Sequence, residues 1–113
     1  MIDKLIYASL YDLVEGRVYP DKIPATNDDF PAISYRMVTE TPDYVVCGYS
    51  EWEELIYQVD IYTKTPDERP DLAKAVFKSL DESDLLTQHL NSMNLYEDDT
   101  GLYRRMMRFK FTT

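Results

Sequence analysis

Residues 54–63, "ELIYQVDIYT", alternate apolar and polar side chains with a period of two. Leu55, Tyr57, Val59 and Ile61 fall on one face, and Gln58 and Asp60 on the other. That spacing is the signature of a strand with one covered face, and it rules out an amphipathic helix over the same stretch. Such a strand needs paired neighbours at its sides and a layer over its apolar face. The neighbours are legible. Over 32–40, Ile33, Tyr35 and Met37 alternate with Ser34, Arg36 and Val38. Residues 90–97 and 102–111 read as two further strands around "DDTG", where Gly101 supplies the residue able to take positive φ that a hairpin requires.

The cover is legible as well. Ile2, Leu5, Ile6, Ser9, Leu10 and Leu13 recur at helical spacing, which predicts a helix over 3–15 stopped by Gly16. A second helix starts at Asp67 or Glu68. Thr65 and Glu68 have capping-box spacing, Pro66 suits a first turn, and Pro70, whose ring clashes beyond a first turn, shifts the start to Asp67 or Glu68. Its expected buried stripe is Leu72, Ala73, Val76, Phe77 and Leu80. Residues 17–19 form a short extended piece, 20–31 a proline-punctuated loop, and 41–53 either a long loop or a projecting hairpin. This order predicts one domain over 1–113, of the α+β class. Its sheet is antiparallel-dominated, with about four to five strands and two helices packed on one face.

Charge is unevenly spread. The formal net charge is −9, yet all 21 acids precede Thr100 and four of the 12 basic residues follow it. An acidic chain is a poor counterion for phosphate, so no direct nucleic-acid specificity is expected. The basic final strand has two readings that the sequence leaves open. Arg104, Arg108 and Lys110 line a wet face, or they meet the acidic flank of a second copy. Arg105 falls on the apolar side of that strand, so it is expected at the rim or beside an acid. Ten tyrosines, with Tyr7 and Tyr11 one turn apart on the first helix, suit surfaces that become covered.

No apolar run reaches the length of a membrane span, and acids interrupt the first apolar stretch, so neither a membrane helix nor a signal peptide is expected. Lone Cys47 forms no intramolecular disulfide, which fits a reducing compartment. Lone His89 has no nucleophile–base signature around it. The carboxylate groups Asp28–Asp29, Glu51–Glu53–Glu54 and Glu97–Asp98–Asp99 lack the ligand ladder of a calcium loop, and Gly16, Gly48 and Gly101 form no phosphate loop. The expectation is no catalytic, cofactor-binding or metal residue, no cofactor, and no enzyme activity.

Read in order, "GRVYPDKIP", "FPAISYRMV", "YQVDIYTKTPDERPDLAKAVFKSL" and "NLYEDDTGLYRRMMRFKF" resemble the tail terminator or tail completion proteins of long-tailed bacteriophages and prophages. The resemblance implies a structural virion protein. It would form a ring, commonly a hexamer, on the head-proximal end of the tail tube, ending tube polymerisation and preparing the tail for head joining. It implies as partners further copies of the chain, the tail tube protein and a head completion or connector protein, without a membrane. The implied location is the virion tail, with assembly in the host cytoplasm. Neighbouring readings are a head–tail connector, another tail subunit, or a small cytosolic binding module. Ring assembly needs unlike patches on one subunit. The candidates are Arg104, Arg108 and Lys110 against Asp28, Asp29 and Glu51, with Trp52, Tyr7 and Tyr11 as further contact residues.

Overall fold

The computed structural model describes residues 2–24, 29–45, 48–82 and 86–112, with side chains over 4–24, 29–39, 55–82 and 88–111. Helix α1 (Ile2–Leu10) continues as a 3-10 turn over Tyr11–Val14, then β1 (Val18–Pro20), β2 (Ala32–Val45) and β3 (Gly48–Thr63) follow. Helix α2 (Glu68–Asp81) leads to β4 (Leu86–Glu97) and β5 (Leu102–Thr112). The five strands form one sheet in the order β1-β2-β3-β5-β4. Only the short β1–β2 pair is parallel; β2–β3, β3–β5 and β5–β4 are antiparallel.

The alternation read from sequence decides which face is covered. Leu55, Tyr57, Val59 and Ile61 of β3, with Met107, Phe109 and Phe111 of β5 and Ile33 of β2, form the sheet side of the core. Ile6, Leu10 and Val14 from the first helical segment, and Ala73, Val76 and Leu80 from α2, close over them. The α+β architecture, with its antiparallel-dominated sheet and helices on one face, is as expected.

Local chemistry sets the joints. The chain leaves the 3-10 turn through Glu15 and Gly16, both at positive φ, and the Gly16 N–H donates to Tyr11 O at 2.8 Å. The β4–β5 turn closes the same way: Gly101 takes φ 71°, and its N–H donates to Glu97 O at 2.8 Å. Arg17 ties the loop before β2 to β1, its Nε donating to Pro31 O at 2.8 Å.

Several expectations need correction. The predicted first helix is α-helical only to Leu10, because its last four residues tighten into 3-10 geometry ahead of the left-handed exit. Of the two expectations for 41–53, the hairpin is the one found, since β2 and β3 stay paired to Val45 and Gly48. It projects, because β5 accompanies β3 only as far as Glu54. Strand β4 starts four residues earlier than the expected 90. The capping box does not form, since Thr65 Oγ1 donates to the Glu68 carboxylate at 2.9 Å instead of serving the backbone, and Asp67 is the N-cap. Phe77 is 39% exposed, at the outer margin of the stripe, tilted against Phe109 and His89. Met37, expected inward, is also exposed. The face of β3 opposite the helices, expected to be wet, buries Gln58 and Asp60 to 2% and 4% exposure.

A candidate assembly surface

Buried polar groups on a helix-free sheet face must find partners there, because an unpaired one costs about 1–3 kcal/mol. Cross-strand register supplies them. Gln58 stands opposite Arg108, and Tyr62 opposite Arg104, with Asp60 between them on β3. Gln58 Nε2 donates to Asp60 Oδ2 at 3.0 Å. Arg104 Nη2 donates to Asp60 Oδ2 at 3.2 Å, and Arg108 Nε reaches Gln58 Oε1 at 3.4 Å. Arg104 also lies 3.8 Å from Glu97 Oε2 and 5.6 Å above the Tyr62 ring.

These charges tune each other. Burial works against the Arg104 cation, but Asp60, Tyr62 and Glu97 outweigh it and hold the guanidinium pKa above its ordinary value. Burial pushes the Tyr62 hydroxyl pKa up, with Asp60 and Glu97 adding to the rise, while Arg104 and a hydrogen bond with Ser34 oppose it. Beside this network, Lys22, Ile23, Pro24 and Phe30 of the loop face Tyr62 and Leu102 across a cavity of about 270 Å³.

The sequence-predicted contact residues are thus dispersed. Arg104 and Arg108 share one face with Lys110, as their spacing required, but Arg104 and Arg108 already engage partners in their own chain. Tyr7 and Tyr11 are exposed on the helical layer, on the other side of the sheet, with ring centroids 5.6 Å apart. Asp29 is exposed on the loop before β2. Asp28 lies outside the described residues; Glu51 and Trp52 belong to the projecting half of β3, and their side chains are outside the described set.

Sequence reasoning missed Asp60, Gln58, Tyr62 and Glu97 as partners of the basic strand. The available signal was an acid and an amide on the most regular strand, next to an arginine run of the same period. Arg105 sits on the helix side, lining a groove of about 390 Å³ with Lys74, Phe77, His89, Ser92 and Met107. Of the two positions expected for it, it takes the partly exposed one: no acid pairs with it among the described residues, and its Nε is buried without a hydrogen-bond partner there. His89 Nε2 lies 2.8 Å from Ser92 Oγ, a pairing its sequence surroundings gave no sign of. The ring stacks on Phe109, and among the described residues no carboxylate pairs with it.

What the molecule exposes is edge and surface. None of the curated proteins compared matches this sequence. Among solved structures, a chain from the virion of a native gene transfer agent particle superposes with a TM-score of 0.59 at 16% identity, covering 95% of this chain and 90% of that one. At that identity the likeness concerns the fold. The family model described as tail completion protein gp17 matches residues 6–113, which takes in all five strands, α2 and the second half of α1. The chain therefore belongs to the tail completion protein gp17 family, structural proteins of the bacteriophage tail.

Proposed function

We propose that this protein caps the head-proximal end of the tail tube as a ring, probed most simply as a hexamer, and so ends tube polymerisation and presents the surface that a head completion or connector protein joins. The observation that carries this reading is the match to the tail completion family across 6–113. The exposed surface supports it. The helix-free face carries a polar network with its own ion pairs, and among the described residues two sheet edges are left for assembly. The partners in this reading are further copies of the chain, the last ring of tail tube protein, and the head-side connector. Assembly takes place in the host cytoplasm and the product resides in the virion tail.

Electron microscopy of tails carrying an epitope-tagged version tests the location. One ring of label at the head-proximal end of each tube is the expected result. Label spread along the tube contradicts it and makes the protein a tube subunit, whereas label confined to heads makes it a connector.

A further inference from the structure

We propose that neighbouring copies join by strand addition: the outer edge of β4 in one copy pairs antiparallel with the open stretch of β2, residues 36–41, in the next. The proposal rests on the ring reading above and names the surfaces that would close it.

Among the described residues both edges are open. β4 ends the sheet, and β1 pairs with β2 at Ile33, Ser34 and Tyr35, so no described strand lies beside the outer side of β2 from residue 36 onward. An open edge presents a row of unpaired backbone donors and acceptors, and monomeric proteins usually blunt it with charge or proline. β4 is not blunted. Its twelve residues, "LTQHLNSMNLYE", contain no lysine, arginine or proline, and their single acid is the last residue. Register shifts at Thr87 and Leu90 interrupt its first half, but 91–97 pairs residue for residue with β5. From the helical layer, Arg69 Nη1 donates a long hydrogen bond to Leu95 O at 3.4 Å.

The exposed apolar residues mark the same two edges. Of the nine large exposed hydrophobic side chains described, six are Met37 and Val38 on β2 and Leu90, Met93, Leu95 and Tyr96 on β4; the other three are on the helices. Strand direction agrees. Successive neighbours from β2 through β3 and β5 to β4 alternate, so a following β2 placed beside β4 continues the antiparallel order. Charge favours a second copy as the occupant. The groove flanking β4 on its helix side carries Lys74 and Arg105, and the 36–45 segment brings Glu40 and Asp43 against one basic residue, Arg36, in its sequence. Joining two different edges gives a heterologous contact, the kind that propagates around a ring.

Disulfide trapping in a Cys47→Ser background tests the pairing on the full chain, alone and with tail tube protein. Leu95→Cys is combined in turn with Arg36→Cys, Met37→Cys, Val38→Cys and Thr39→Cys, positions exposed enough to leave the fold intact. Native mass spectrometry and non-reducing gels read the products. The expected result is a ladder of covalent oligomers for at least one pair, up to the ring mass, with each single variant uncross-linked. A ring mass without any cross-link overturns strand addition but leaves the ring standing. Covalent dimers from Leu95→Cys alone overturn it in favour of a twofold β4–β4 contact. A monomer both with and without tube protein removes the ring itself, and the proposal with it. A Met93→Lys/Leu95→Lys variant provides the second readout: unchanged circular dichroism with at least tenfold weaker assembly is expected, and undiminished assembly contradicts the interface.

Discussion

Asp60 shows how one side chain answers the charge puzzle of the final strand. Its carboxylate is 6% exposed and sits under Arg104, which keeps 25% exposure, so solvent screens the pair from one side only. Asp60→Ala should therefore cost about 2 kcal/mol, below the 3–5 kcal/mol expected when a fully buried pair is broken. Adding Arg104→Met should recover part of that loss, because the uncompensated cation is removed too. Urea titration of the single and double variants checks this, and simply additive losses would contradict it. Tyr62 gives a pH test. Its folded-state pKa is raised above the ordinary 10.0, so the folded chain holds that proton more tightly than the unfolded chain. The associated stability is fully present below pH 10.0 and is lost as pH rises through the folded value. Tyr62→Phe should flatten the alkaline fall in thermal midpoint, and an unchanged slope contradicts the assignment. At this scale the sequence was legible only in half. It showed that Arg104 and Arg108 share a face, because period two is local. It hid Asp60 as their partner, because the hydrogen bond spans 44 residues and depends on the β3–β5 register.

The connections between elements rest on two glycines that differ in what surrounds them. Gly16 has φ 86°, and a Cβ there would lie 3.0 Å from the Tyr11 ring; Gly101 has φ 71°, but the nearest atom to its Cβ position is Tyr96 Oη at 3.9 Å. Gly101→Ala should cost about 1 kcal/mol from backbone strain alone, and Gly16→Ala about 2 kcal/mol because the ring must also move. Tyr11→Ala should relieve part of the second loss and none of the first. Equal losses at both glycines, measured by thermal unfolding, would contradict the steric account. The same contrast explains what element-level reading could reach. Gly16 and Gly101 mark real ends because each terminates a clear periodic run. Pro42, Asp43 and Gly48 look like punctuation of the same sort, yet they lie within a paired hairpin whose register shifts at Val38 and Asp43 absorb the irregularity. Thr65 and Glu68 have the spacing of a capping box, and spacing cannot tell a side chain that serves the backbone from one that bonds another side chain.

For the molecule as a whole, fold class and helix placement were legible because one strand pattern, 54–63, required both neighbours and a one-sided cover, and the remaining segments supplied them. The assembly surface was less so. The arginines that drew attention by charge are held within the chain, while the open edges are marked by the lack of charge on β4 and by the shortness of β1, features that matter only once the strand order is known. Family membership over 6–113 connects this architecture to the phage tail, and tube termination is the role we assign to it. The most direct test is the length distribution of tails assembled without this protein, measured by negative-stain electron microscopy. Tubes extending well beyond the normal length, and joined to no heads, are the predicted result. Tubes of normal length would contradict termination.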